Sequence, residues 1–117
     1  MINIFNYTPH AVTVFDGEND PLATFQPVGL ARAEQKEHVV GKISVEPESV
    51  PLKRMVFGGV VGLPETAGPE EYFIVSSIAA QAARAVNHPL ADRLLIPSDP
   101  VRNENGQIIG CRSFSII

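Results

Sequence analysis

The chain opens Met1-Ile-Asn-Ile-Phe-Asn-Tyr-Thr-Pro-His10 and runs straight into Ala11-Val-Thr-Val-Phe15, which sets a compact polar knot between two short apolar runs. Asn6, Thr8, Pro9 and His10 make the knot. Asn and Thr side chains can tie a turn by bonding to nearby backbone groups. Short strands are therefore expected at 2–5 and 11–15, with the N-terminus built into a sheet and no disordered leader. The rest of the chain keeps the same short measure. Ten prolines and nine glycines in 117 residues divide it into brief elements joined by turns.

Val12 and Val14 alternate with Thr13, as a half-buried strand requires. Asp16-Gly17 to Pro21 reads as a turn, and 22–26 returns to complete a hairpin. The segment 30–37 alternates apolar and polar positions over its first half, yet it is rich in helix formers. Strand is the preferred reading, because no apolar stripe is long enough to hold a helix to a core. A further strand is expected around Ile43 and Val45, then a loop at 46–51, then a central strand at 53–61. Gly58-Gly59 within that strand marks a bulge, a bend or a close approach. After an irregular loop at 62–69, the strand 71–75 feeds Ser76-Ser77 and a helix at 77–86 with Ile78, Ala82, Ala85 and Val86 on its inner face. Asn87-His88-Pro89 ends that helix, since the residue before proline leaves the α region. A short strand at 93–97 leads to a last hairpin, 101–102 with 108–114 around Asn103–Gly106.

These elements fit one domain, 1–117. The expected class is α+β: a mostly antiparallel bent sheet or partial barrel with one main helix against it. The expected core comprises Ile4, Val12, Val14, Phe25, Met55, Phe57, Val60, Phe73, Val75, Ile78, Ala82, Val86, Leu95, Ile108 and Cys111. The net charge of −4 argues against a general binder of DNA, RNA or anionic membrane, which needs a positive field over one face. No apolar stretch approaches 18 residues and no signal peptide is evident, so a cytoplasmic protein is expected. A charged fraction of 19% leaves room for a contact surface, and short strands near both ends of the sequence present unpaired edges. A homo-oligomer is expected on those grounds.

Chemistry-bearing residues are sparse. The single Cys111 stands mid-hairpin and reads as a small buried hydrophobe rather than a nucleophile. His10, His38 and His88 lack metal-site spacing, so neither a metal nor a cofactor is expected. Without a nucleophile–base pair, binding is expected over catalysis. Ser76 and Ser77 suit a helix cap, although the same helix end can receive an anion. Arg102 and Arg112 flank the last turn and stand side by side if 101–102 pairs with 111–112. Two guanidinium forks so placed need an acidic group or a bound anion between them. Arg32 is a further phosphate partner, Tyr72 an aromatic face for a base, and Asn6 and His10 either turn residues or pocket residues.

Asn6-Tyr-Thr-Pro-His10, Gly59-Val-Val-Gly-Leu-Pro64, Tyr72-Phe-Ile-Val-Ser76 before an alanine-rich helix, and Val101 through Arg112 together resemble a group of short proteins of phages, prophages and many bacteria, over nearly the full length. The architecture also looks like that of phage anti-defence sponge proteins, which sequester cyclic ADP-ribose-type signals of the Thoeris system without hydrolysing them. Those proteins use aromatic, asparagine and arginine side chains in pockets between subunits. The likeness implies non-catalytic capture of a small anionic nucleotide-derived ligand. The alternative is a phage accessory structural or protein-interaction module.

Overall fold

The computed structural model describes the backbone of residues 1–117 and the side chains of all but Phe57. Eight strands and one α-helix follow in the order β1 (Asn3–Asn6), β2 (Val12–Phe15), β3 (Pro21–Phe25), β4 (Arg32–Val45), β5 (Glu48–Val61), β6 (Glu71–Ile74), α1 (Ser77–Ala85), β7 (Leu94–Arg102) and β8 (Ile108–Ser115). Six of them form one sheet in the order β1-β6-β7-β8-β2-β3, and β4 pairs with β5 alone. The antiparallel ladders β2–β3, β7–β8 and β4–β5 hold most of the paired residues, whereas β1–β6, β6–β7 and β2–β8 run parallel. The class is α+β, with a mostly antiparallel, nearly closed barrel-like sheet. Parallel neighbours need a crossover. Between β6 and β7 that crossover is α1.

Closure of the sheet runs through Asn6. Its side chain is 1% exposed, the one buried polar residue among those described. In a strand, neighbours point to opposite faces. Phe5, paired with Phe73, packs toward α1, so Asn6, paired with Ile74, turns inward. There Nδ2 donates to the carbonyls of His10 and Phe25, both at 2.8 Å. Oδ1 accepts from Thr8 N at 2.9 Å and Thr8 Oγ1 at 2.6 Å. The Asn6 carbonyl accepts Val28 N at 2.9 Å. One residue thus ties the end of β1, the Thr8–His10 turn and the end of β3, the two outer strands of the sheet.

The core lies between the sheet and α1. Phe73, Val75, Ala79, Ala80, Ala83, Leu90, Leu94 and Ala31 form one buried cluster, with Phe5, Tyr7 and Val60 packed on it. Ser76 caps the helix by accepting Ala79 N at 3.1 Å. At the other end Asn87 N–H donates to the Arg84 carbonyl and His88 N–H to that of Ala83, with Asn87 at φ 53°. That pair of bonds with a left-handed Asn is a Schellman stop. The inner face of the helix differs from expectation by about one residue. Alanines 79, 80, 82 and 83 face inward, while Ile78 and Val86 are 52% and 50% exposed. An alanine face lets the helix axis approach the sheet more closely than an isoleucine–valine face would.

Three other core expectations fail or shift. Met55 is 49% and Ile108 60% exposed, and the side chain of Phe57 lies outside the described residues. Ile4, Val12, Val14, Phe25, Val60 and Leu95 are half-buried. Phe73, Val75, Ala82 and Cys111 are buried as expected.

The larger difference concerns 30–61. The strand reading of 30–37 holds from Arg32 onward, but the strand continues to Val45, and the loop expected at 46–51 shrinks to a turn at Glu46-Pro47. A bulge leaves Gly58 unpaired opposite the Glu34/Gln35 step, and a second irregularity falls at Val39/Gly41. Gly59, at φ 125°, lets β5 bend beneath Val86 at the helix end. Beyond that bend β5 is not central: residues 34–55 are exposed throughout. Strands of 14 residues extend roughly 45 Å. They give a radius of gyration of 18.1 Å, against about 13 Å for a compact chain of this size.

Replacing Phe73 by alanine should lower stability by about 3–5 kcal/mol. Asn6→Ala, which leaves the His10 and Phe25 carbonyls without their donor, should cost roughly 2–4 kcal/mol. Urea midpoints measure both, and an unchanged midpoint for Asn6→Ala would contradict the closure described here.

Candidate functional site

The arginines expected to meet do not. Val101 pairs with Gly110 and Pro100 with Cys111, and a register shift then sets Arg102 opposite Ile108. Arg112 lies four residues further along β8, roughly 13 Å away. Each has its own partner. Arg102 Nη1 donates to the Gly106 carbonyl at 2.7 Å, closing the 103–106 turn. Arg112 Nη2 donates to Asn19 Oδ1, fastening the β2–β3 turn to β8. The residue opposite Arg112 is Asp99, whose carboxylate accepts the Ser113 hydroxyl at 2.5 Å. Register, which a bulge changes, decides such pairings and is not readable from residue type.

Tyr72 is also engaged. The Arg93 guanidinium lies 5.5 Å from its ring centroid, and Arg93 Nη1 donates to the Gly68 carbonyl at 3.0 Å. The pair holds the loop before β6 rather than offering a free stacking face. Asn6 is consumed by sheet closure. His10 is exposed and joins the same turn through its carbonyl. Ser77 Oγ accepts Gln81 Nε2 at 3.0 Å on the outer helix surface.

Arg32 and Ser76 do come together. They line a cavity of about 500 Å³ with Tyr7, Thr8, Leu30, Gln35 and Ile78, at the root of β4. Its floor is rigid. Tyr7 N–H donates to the Ile74 carbonyl, the Tyr7 carbonyl accepts Ala31 N, and the ring stands edge-on to Phe73 at 5.4 Å. Gly29 makes room for that ring: a Cβ there would stand 2.5 Å from Tyr7 Cε1. Ser76 Oγ caps α1 while facing the cavity. Among the described residues, Arg32 has no hydrogen-bond or ion-pair partner and is the only charged residue lining the cavity. The wall is otherwise mostly apolar, and it is open on one side.

Sequence reasoning missed Tyr7, Leu30 and Gln35. The available signal was Gly29 before an alternating segment, a glycine that accommodates a ring rather than a turn. Among the described residues, no group of three or more His, Cys, Asp or Glu is placed to hold a metal ion. None of the described helices is long and apolar enough to cross a membrane. Comparison with protein-family models, curated proteins and solved structures finds no match for this chain.

Cys111 is 2% exposed inside the sheet, and burial pushes its thiol above the ordinary value of 9.0, against weaker opposing backbone hydrogen bonds from Ser98 and Ser113. The unfolded thiol therefore ionises first as pH rises. The thiol's contribution to stability is fully present below pH 9.0 and is lost as pH climbs through the raised native value. At pH 8 a thiol reagent should label Cys111 only after urea is added. Fast labelling of the native protein would show a reactive cysteine instead.

Proposed function

We propose that this protein is a non-catalytic, self-associating interaction module whose contact element is the β4–β5 arm. One observation carries the reading. Along the arm Val39, Val40, Ile43, Val45, Val50, Leu52 and Met55 each leave between 45% and 66% of their surface open. Four of them, Ile43, Val45, Val50 and Leu52, share one face near the tip, and apolar exposure grouped in this way marks an interaction surface. An isolated two-stranded ribbon is also marginal in water and gains stability when a third layer covers its apolar face.

The register gives the arm two unlike faces near its tip. Paired residues of an antiparallel ladder share a face. Ile43 with Val50 and Val45 with Glu48 therefore stand on one side, together with Leu52. Lys42 with Pro51 and Ser44 with Ser49 stand on the other. Lys53 Nζ pairs with Glu37 at 3.1 Å on that second side, where Val39 and Met55 also stand nearer the root. An amphipathic ribbon projecting from a body with its own core suits assembly better than it suits folding of a single chain.

A second reading is supported by the cavity at the arm root. Its volume of about 500 Å³ falls in the range of small-molecule sites, and Arg32, Tyr7 and the Ser76 end of α1 would give an anionic nucleotide-like ligand a charge, a ring and N–H donors. Calorimetry with cyclic nucleotides and ADP-ribose isomers at millimolar concentration tests it. Heat of binding that disappears in Arg32→Ala supports capture, and no heat with any of them removes this reading.

For the arm, light scattering coupled to size exclusion at micromolar protein should give a multiple of 12.6 kDa for the full chain. A variant with residues 36–55 replaced by a short Asn-Gly turn should give a monomer with the α1 signal of circular dichroism retained. A full chain that elutes at 12.6 kDa would rule the reading out.

A further inference from the structure

The arm and the cavity have complementary chemistry at opposite ends of one ribbon. The tip carries Val45, Val50, Ile43 and Leu52 on one face, with Glu46 and Glu48 at the turn. The cavity at the root presents Tyr7, Leu30 and Ile78 around the unpartnered Arg32. The tip cannot reach its own cavity. Pairing runs from Arg32↔Val61 to Val45↔Glu48 with only two local irregularities, so a ribbon's length separates them. Whatever fills the cavity with this tip comes from another chain.

We infer that two copies exchange arms about a two-fold axis, each arm tip covering the partner's cavity with Glu46 or Glu48 set against the partner's Arg32. This rests on the self-association reading above and adds where the arm goes. When two identical arms lie side by side in opposite directions, each tip arrives at the other's root. The cavity lies at that root, where Ala33 and Gln35 of β4 form part of its wall. Tip and cavity are both largely apolar, so their contact removes exposed surface from both copies. The acidic turn meets Arg32, the only charged residue among those described in the cavity wall, and one glutamate and the guanidinium leave solvent as a pair. Arg32 and the cavity are then part of an interface that one chain does not complete.

Charge exchange and cross-linking test the arrangement. Arg32→Glu and the double variant Glu46→Arg, Glu48→Arg should each weaken dimerisation tenfold or more, read by sedimentation across a dilution series. All three substitutions together should return the dissociation constant to within about threefold of the original. These residues are exposed, so circular dichroism should be unchanged throughout. Separately, Val45→Cys and Leu30→Cys proteins are mixed under mild oxidation. A disulfide-linked heterodimer should form, since Cys111 is buried and does not compete. A full-chain oligomer that ignores Arg32→Glu and yields no heterodimer overturns the exchange while leaving arm-mediated association standing. A full chain that is monomeric overturns both.

Discussion

A single buried carboxamide holds the outer strands of this sheet together. Asn6 uses both Nδ2 hydrogens and its Oδ1 to join the end of β1 to the Thr8–His10 turn and to Phe25 at the end of β3. A buried amide is costly when unpaired and specific when fully paired, because its donors and acceptors cannot be satisfied in a shifted register. β1 and β3 are short, and hydrophobic contact alone leaves short strands free to slide. The carboxamide removes that freedom. It also fixes the position of Tyr7, whose backbone bonds to Ile74 and Ala31 form the floor of the cavity.

Much of this organisation was legible in the sequence, and the parts that were not share a physical cause. The helix at 77–85, its serine cap, its stop at Asn87, the 103–106 turn and the Gly58 bulge follow from local chemistry that each segment carries by itself. The knot at Asn6, Thr8 and His10 was visible as a turn, but its link to Phe25 was not. Pairing of β1 with β6 joins residues some seventy positions apart, and no local pattern encodes it. The misplacement of Ile78 and Val86 has a different origin. Apolar periodicity favours large residues, whereas close packing against this sheet selected the alanine face. Arg102 and Arg112 look like neighbours only if 101–102 pairs with 111–112; the ladder instead pairs Val101 with Gly110, and that register is invisible in the residue types.

The arm illustrates a limit of reading burial from composition. The apolar patterns over 30–37, around Ile43 and Val45 and at 53–61 identify strands, but such a pattern reports an apolar face and not what lies against it. Met55 is therefore expected in a core, yet the single chain leaves it 49% exposed. The body accounts for its own burial through Phe73, Val75, Leu94 and the alanines of α1. Among the described residues the arm between 34 and 55 has no such cover, and its root opens on a cavity with one uncompensated cation, Arg32. An apolar ribbon with an acidic tip and a matching depression at its base form one interface divided between two ends of the chain.

Amide hydrogen exchange across 34–55, followed as a function of protein concentration, tests this most directly. If the arms are buried between copies, these amides should be protected at tens of micromolar protein and should exchange rapidly on dilution below the dissociation constant, while Ile74 and Val75 stay protected throughout. Rapid exchange along the arm at every concentration, with the body unchanged, would contradict the assignment of the arm as the element of self-association.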